Sequence, residues 1–150
     1  MSIASVKLRS ASIEDVPSIF NLVKELAIYE KAEHEVLVDE QYYRKAFTAG
    51  TFEALVATVD DTVIGICIYY TTFSTWKGKM LYLEDFVVRE TYRKKGIGQV
   101  LYDKLMSIAK QEGYKLMKWQ VLDWNEPAIK FYKKNNATIE KEWWNCKVVF

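Results

Sequence analysis

A turn that combines two glycines with three cations is the first stretch of the sequence that could do chemistry. It reads Arg-Lys-Lys-Gly-Ile-Gly over residues 93–98 and follows an apolar run at residues 80–88. Gly96 and Gly98 would let the backbone approach a ligand closely and expose its N–H groups. A helix that begins there would add its dipole, and the turn would then favour an anion such as a pyrophosphate. The same turn is equally typical of an ordinary helix start with solvated lysines.

The spacing of the glycines separates this turn from two other phosphate loops. The sequence has no G-x-x-x-x-G-K-[ST] pattern, which excludes a P-loop. Arg93-x-x-Gly96-x-Gly98 also lacks the first glycine of the G-x-G-x-x-G fingerprint, so a Rossmann dinucleotide site is a poor fit.

Two adjacent carboxylates, Glu84 and Asp85, interrupt the apolar run before the turn. The run is typical of a buried strand, where a carboxylate costs free energy unless it is paired or has a function. Glu84 could pair with a lysine and be structural, but two acids in mid-strand favour a functional site.

Composition limits the classes of function. The chain has 150 residues, half of them apolar, and a formal net charge of +1. These values predict one domain over residues 1–150 and give no bulk argument for binding nucleic acid or an anionic membrane. We see no membrane-spanning stretch, signal-peptide core or metal-ligand motif, and expect no metal. Cys67 and Cys146 form no redox pair, which favours a reducing cytoplasm.

The patterning predicts the element order β-α-α-β-β-β-α-β-α-β-β, an α/β (α+β) fold. Helices should cover both faces of a mixed, mostly antiparallel sheet. The strands are expected at residues 6–9, 52–59, 62–73, 79–88, 116–122, 138–141 and 143–150. The helices are expected from Ser12 to about Tyr29, at 39–48, at 96–112, and from Asn125 to Asn135.

Taken together, these motifs resemble the GNAT superfamily of acyl-CoA-dependent N-acetyltransferases. The resemblance covers nearly the whole chain and depends on the strand, the Arg-x-x-Gly-x-Gly turn with its helix, and two later motifs. Those later motifs are Asn125-Glu126-Pro127-Ala128 and Phe131-Tyr132. The stretches Tyr82-Leu83-Glu84-Asp85-Phe86, Tyr29-Glu30 and Trp76-x-Gly78-Lys79 are similar to the spermidine/spermine (diamine) N-acetyltransferases and their thialysine-acetylating relatives.

The resemblance implies direct transfer of acetyl from acetyl-CoA to a bound amine, without an acyl-enzyme. Glu84 matches the family's general base, acting through water, and Tyr132 matches its general acid. From periodicity alone, Tyr132 would be an aromatic residue of a helix core. Asp85 would point away from Glu84 in a regular strand, but a bulge in this splayed strand could bring both into the cleft.

The resemblance also implies a cofactor site where the sheet splays. Backbone groups at Phe86, Val87 and Val88 should pair with the pantetheine amides, in the manner of strand addition. The pyrophosphate should lie on the basic turn and the helix start, which comprise Arg93, Lys94, Lys95, Gly96, Ile97, Gly98 and Gln99. The residues of the next helix start that match cofactor contacts are Asn125, Glu126, Pro127 and Ala128.

The acceptor site is expected at Tyr29, Glu30, Trp76, Glu84 and Asp85. The carboxylates of Glu30, Glu84 and Asp85 suit a small polyamine or diamine. The segment Phe73-Ser74-Thr75 lacks an acid that polyamine-acetylating members tend to carry, which leaves thialysine or other amino-acid-like amines open. The chain ends at residue 150, so we expect no longer tail at the site. Homodimers are usual in this branch.

Two other functions remain open from the sequence. One is a domain that binds acyl-CoA without turnover, as a regulatory module; the pair Glu84 and Tyr132 argues against it. The other is acetylation of a protein or peptide, which would need a wide cleft.

Overall fold

Five strands form one mixed sheet in the computed structural model, which describes residues 5–150. The start of the chain at residues 1–4, where a signal peptide would begin, lies outside the described residues. The strands are β1 Lys7–Ser10, β2 Glu53–Val59, β3 Thr62–Ser74, β4 Gly78–Val88 and β5 Leu116–Lys118. They lie in sequence order, with β1 to β4 antiparallel and β5 parallel to β4. The mixed, mostly antiparallel sheet is therefore confirmed.

The described residues form four α-helices, close to their predicted bounds. They are α1 Val16–Tyr29, α2 Glu40–Thr48, α3 Ile97–Gln111 and α4 Glu126–Lys134. Short 3-10 turns lie at Ile13–Asp15, Glu33–Glu35 and Glu90–Tyr92. Side-chain caps mark where a helix begins, which explains why the bounds could be predicted closely. The Asp39 carboxylate accepts the Tyr42 N–H at 2.9 Å and begins α2.

The turn before α1 is held by one buried carboxylate. Asp15 accepts hydrogen bonds from the Arg9 guanidinium at 2.6 and 3.0 Å and from the Ser12 N–H at 2.8 Å. The Arg9 bonds are the main reason that the pKa of Asp15 lies below its usual value. This contact joins β1 to the start of α1.

Two apolar clusters, one on each face of the sheet, form the core. The α1 cluster contains Ile19, Leu22, Val23, Ala54, Val56, Val63, Ile66, Ile68 and Val87. The α3 cluster contains Leu55, Ala57, Ile64, Cys67, Tyr69, Leu81, Leu83, Ile97, Leu101, Leu105 and Ala109. Because α1 and α3 pack against opposite sets of alternating strand residues, helices cover both faces, as predicted.

A β-bulge in β4 changes which side chains face each cluster. Ile68 of β3 pairs with Asp85, but Tyr69 pairs with Leu83, so Glu84 is an extra residue without a ladder partner. Leu83 belongs to the α3 cluster, whereas Val87 belongs to the α1 cluster. In a regular strand these two side chains would share one face. The bulge considered from the sequence is therefore present.

The predictions for the C-terminal third were partly wrong. Strand β5 has three residues rather than the seven expected at 116–122, and the described chain has no strand after α4. The segments 138–141 and 143–150 have the composition of strands, but β-propensity measures fit to a neighbouring strand, and here no ladder forms. Trp144 and Phe150 are instead exposed.

The chain forms two compact units, one ending at Trp119 and one comprising Gln120–Phe150. The sheet, α1, α2 and α3 belong to the first unit and α4 to the second. Within residues 5–150, no helix is both long and apolar enough to cross a membrane.

Candidate functional site

The bulge brings Glu84 and Asp85 to the same face of the sheet. Asp85 pairs with Ile68, whose side chain lies in the α1 cluster, and therefore faces α1. Tyr70, two residues beyond Ile68, shares that face, and its hydroxyl donates to Oε2 of Glu84 at 2.9 Å. We call this surface the acidic face. It comprises Glu84, Asp85 and the side chains of Tyr70 and Tyr43 that approach them.

Burial and mutual repulsion perturb the acids on this face. The pKa of Asp85 is raised to about 7, first by burial and then by the charges of Glu84 and Glu30. Burial also raises the pKa of Glu30, which follows the last residue of α1. The pKa of Tyr43 on α2 is raised to about 12 by burial and by the charges of Asp85 and Glu84. These couplings place Glu30 and α2 beside the two carboxylates.

No ion pair neutralises Glu84 or Asp85 in the part of the chain that the structure describes. The alternative of a structural carboxylate paired with lysine is therefore not what the described residues form. Several acids that share a face, without a cation between them, have a net charge that suits a bound ammonium group.

Tyr29 contacts the basic turn. The Arg93 guanidinium lies over the Tyr29 ring, 5.2 Å from its centroid, and Arg93 Nε donates to the Val88 carbonyl at 2.9 Å. One side chain thus joins the end of α1, the end of β4 and the basic turn. This places Arg93 between the predicted acceptor residues and the predicted phosphate residues, and its Nε is engaged by the backbone.

Trp76 lies apart from the acidic face. It sits in the turn between β3 and β4, where its side chain is 82% exposed. The six-residue path along β4 from Gly78 to Glu84 spans roughly 20 Å at the usual rise of a strand. The structure does not bring Trp76 to the carboxylates, and its role in binding the acceptor stays a prediction.

The basic turn has a backbone geometry suited to an anion. Lys94 and Gly96 adopt left-handed conformations with φ of 62° and 79°, and Gly96 is the N-cap of α3. As first-turn residues of α3, Ile97 and Gly98 have N–H groups with no intrahelical acceptor. A Cβ atom on Gly98 would lie 3.7 Å from Cζ of Phe86, so this glycine sits directly over β4. Lys94 and Lys95 are exposed beside it.

The sheet splays beside the basic turn. β5 pairs with β4 only at Met80, Leu81 and Tyr82, and residues 83–88 have no further strand on that side in the described chain. An unpaired strand edge presents N–H and C=O groups that can bind an extended ligand. Phe86, Val87 and Val88 lie on this edge, although the Val88 carbonyl accepts the Arg93 Nε–H and the Val87 side chain is part of the core.

These features fit the pantetheine and pyrophosphate of acetyl-CoA. The splayed edge offers an extended backbone, and the basic turn offers N–H groups and cations at the start of a long helix. Gln99 follows in the first turn of α3, and its side-chain amide donates to Asp103 at 2.9 Å.

The remaining predicted residues lie in the second unit. Asn125 caps α4 as expected, since its side-chain oxygen accepts the Ala128 N–H at 3.4 Å. Glu126 and Pro127 form the first turn of that helix, and Tyr132 is buried with its ring edge against Phe131. The catalytic pairing of Tyr132 with Glu84 stays a prediction.

Sequence reasoning missed the tyrosines of the acidic face. Tyr70 pairs with Tyr82, two residues before Glu84, so its bond to Glu84 depends on how β3 pairs with β4, which residue spacing does not reveal. Tyr43 could have been found, because with Phe47 it repeats at helical spacing in the helix predicted at 39–48, which indicates a side that packs against the core. In the described residues, no group of three or more His, Cys, Asp or Glu side chains could hold a metal ion.

Structural comparison reproduces the fold. The chain superposes on an aminoglycoside acetyltransferase from an uncultured soil metagenomic sample with a TM-score of 0.82, covering 99% of this chain and 98% of that one. The two chains share 17% sequence identity, so this likeness concerns the fold alone.

Sequence comparison gives the family. The chain is 36% identical to thialysine N-epsilon-acetyltransferase of Bos taurus over 155 residues, covering 95% of this chain and 91% of the relative. It is 34% identical to spermidine/spermine N(1)-acetyltransferase-like protein 1 of Homo sapiens, covering 87% of this chain and 20% of that longer protein. The model of the acetyltransferase (GNAT) family, which uses acetyl-CoA as co-substrate, matches residues 16–137. With this match and the relatives from the diamine and thialysine branch, the chain belongs to the GNAT family and is an N-acetyltransferase.

Proposed function

We propose that this protein transfers acetyl from acetyl-CoA directly to a primary amine of a small acceptor that carries a second cationic group, as diamines and thialysine do. The observation that carries this proposal is the group formed by Glu84, Asp85 and Glu30, whose charges interact without a neutralising cation among the described residues. Two ammonium groups on one acceptor would neutralise more of this charge than one.

Glu84 is the proposed general base. An alkylammonium has a pKa near about 10.4 and cannot attack a thioester until it loses a proton. Glu84 would take that proton, directly or through one water, while the nitrogen lone pair forms the new bond to the acetyl carbon. The bond from that carbon to sulfur breaks, and Tyr132 would donate its phenol proton to the departing thiolate. The new amide nitrogen releases its second proton to solvent, and Tyr132 regains a proton from solvent. No acyl-enzyme is needed.

The proposed cofactor residues fall into three groups. Backbone groups of Phe86, Val87 and Val88 would bind the pantetheine arm at the splayed edge. The basic turn and helix start would hold the pyrophosphate through Arg93, Lys94, Lys95, Gly96, Ile97, Gly98 and Gln99. The start of α4 would add contacts from Asn125, Glu126, Pro127 and Ala128.

We further propose that the two compact units act as one catalytic domain in a homodimer. The family match at residues 16–137 runs across the boundary after Trp119, which supports a single domain. Trp143, Trp144 and Val148 are exposed and lie within a few residues of one another in the sequence, and exposed large apolar side chains of this kind favour a protein partner. Free Cys67 and Cys146 are in keeping with a reducing, cytoplasmic compartment.

An amine panel tests the proposed activity. Release of CoA from acetyl-CoA would be followed with spermidine, spermine, short diamines, thialysine, lysine and a peptide amine, with a control lacking acceptor. We expect turnover with small amines that carry a second cation and much slower turnover with a monoamine of equal length. Turnover with the peptide alone would contradict the proposal. Acetyl-CoA binding without turnover on any amine would favour the non-catalytic binding module.

The Glu84→Gln variant tests the base. Gln keeps the shape of the side chain and cannot accept the amine proton, so we expect kcat to fall by about 100-fold, within the range of general-base effects. The loss should be largest at low pH, where the amine is most protonated. A uniform loss at all pH values would instead indicate a positioning role for Glu84.

A further inference from the structure

Glu84 occupies an unusual place in the sheet. As the extra residue of the bulge it has no ladder partner on β3, so the ladder does not fix where its carboxylate points. The orientation of the carboxylate must then come from side-chain contacts. The contact that the structure provides is the hydrogen bond from the Tyr70 hydroxyl to Oε2 of Glu84, at 2.9 Å.

Tyr70 is itself well held. It pairs with Tyr82 across β3 and β4, and the two rings stack with centroids 5.4 Å apart and an interplanar angle of 23°. A cross-strand aromatic pair of this kind restricts both rings. The Tyr70 hydroxyl is therefore a fixed donor placed beside the unpaired residue of the bulge.

The chemistry of this bond distinguishes the two adjacent acids. Burial and the neighbouring Glu84 raise the pKa of Tyr70, so its phenol stays protonated and donates to the carboxylate. A hydrogen bond to the ionised form of a carboxylate favours that form. Asp85 is buried beside the charges of Glu84 and Glu30, which favour its neutral form.

We infer that Tyr70 is a positioning residue whose hydroxyl fixes Oε2 of Glu84, so that Glu84 rather than Asp85 accepts the proton of the amine. This inference rests on the proposed function, because it assigns the partner of the proposed base. Oε1 of Glu84 is then the oxygen directed to the amine or its bridging water. The other titratable groups that act on this pair are Tyr82 on β4, Tyr43 on α2 and Glu30 after α1.

The test compares Tyr70→Phe with Tyr82→Phe. Both variants keep the stacked rings and lose one hydroxyl, but only the first loses the bond to Glu84. For Tyr70→Phe we expect the acidic limb of the kcat profile to move up by about one pH unit, with kcat below that limb falling about tenfold. The limb for Tyr82→Phe should stay within about 0.3 pH units of the wild-type limb.

A titration of the Glu84 side-chain carboxyl by carbon-13 NMR gives a second readout that does not depend on turnover. In Tyr70→Phe its midpoint should rise with the kinetic limb, and in Tyr82→Phe it should not. Equal behaviour of the two variants in both measurements would overturn the inference.

Glu84→Gln, measured beside them, separates the inference from the proposed function. If Glu84→Gln loses activity while Tyr70→Phe keeps the wild-type profile and titration, only the role of Tyr70 is wrong. If Glu84→Gln keeps full activity, the proposed base is wrong and the role of Tyr70 falls with it. A loss of activity in Glu84→Gln, together with an acidic limb that shifts in Tyr70→Phe but not in Tyr82→Phe, supports both the proposed base and the role of Tyr70.

Discussion

Replacing Asp85 by Asn should make the protein more stable at alkaline pH and leave its stability almost unchanged near pH 4. The pKa of Asp85 is raised to about 7 from the ordinary value of 3.8, first by burial and then by the charges of Glu84 and Glu30. The folded state therefore holds a proton that the unfolded chain releases. Asn has a similar shape and carries no charge at any pH.

The sign of the effect follows from proton linkage. Below about pH 4 the carboxyl is protonated in both states and contributes nothing. Between about pH 4 and 7 only the folded state keeps the proton, so wild-type stability falls by about 1.4 kcal/mol per pH unit from this group. The pKa of Asp85 in the folded state exceeds that in the unfolded chain by about three units, which lowers the free energy of unfolding by about 4 kcal/mol above pH 7. Because part of the rise in the pKa of Asp85 comes from the charges of Glu84 and Glu30, we expect about 2–4 kcal/mol to be recovered at pH 8.

Urea unfolding of wild type and Asp85→Asn at a series of pH values measures this difference. The exposed Asp123→Asn serves as the matched control, since it removes one carboxylate outside the acidic group. The free energy of unfolding of the control should differ little from wild type at any pH. A stability gain for Asp85→Asn that is the same at pH 4 and pH 8, or a loss at pH 8, would refute the reasoning. If Asp85→Asn is more stable but binds the amine less tightly, the charge of Asp85 lowers the stability of the fold and contributes to binding.

Three further predictions concern other parts of the molecule. Tyr132→Phe should lower kcat by at least about tenfold and leave the Kd for acetyl-CoA, measured by calorimetry, nearly unchanged; an equal loss of both would remove its role as acid. Gly65→Ala should destabilise the fold by about 1–3 kcal/mol in thermal unfolding, because the added Cβ would lie 2.9 Å from Cδ1 of Leu101, and an unchanged Tm would contradict this. Asp15→Asn should lower the free energy of unfolding by about 1–3 kcal/mol at pH 7. The deficit should shrink below about pH 4, because the unfolded wild-type chain binds a proton there before the folded carboxyl, whose pKa is lowered, does so; a constant deficit would contradict the ion-pair explanation.

Local signals in the sequence predicted the helices and the antiparallel meander well. The caps Asp39 and Asn125 bond to backbone groups only three residues further along the chain, so a local pattern predicts these helix starts almost to the residue. The bulge could be considered from the sequence, but the bond from Tyr70 to Glu84 could not, because it depends on which residues of β3 and β4 pair. Local composition could not show whether the segment 143–150 has a strand to pair with, and it has none within the described chain.

The placement of Glu84 in the bulge has a consequence for how this scaffold can change. Most residues of β4 have a ladder partner and face one side of the sheet. Replacing them therefore affects the stability of the sheet as well as the chemistry of the site. Glu84 holds no ladder position, so a different side chain there would alter the reactivity of the site and leave the strand pairing intact. A deletion of this one residue would restore regular alternation and keep every ladder pair, because Leu83 and Asp85, which already face opposite sides, would become consecutive. The pairing of β4 with β3 therefore does not depend on the residue proposed to do the chemistry, so the reaction rather than the sheet would constrain this position.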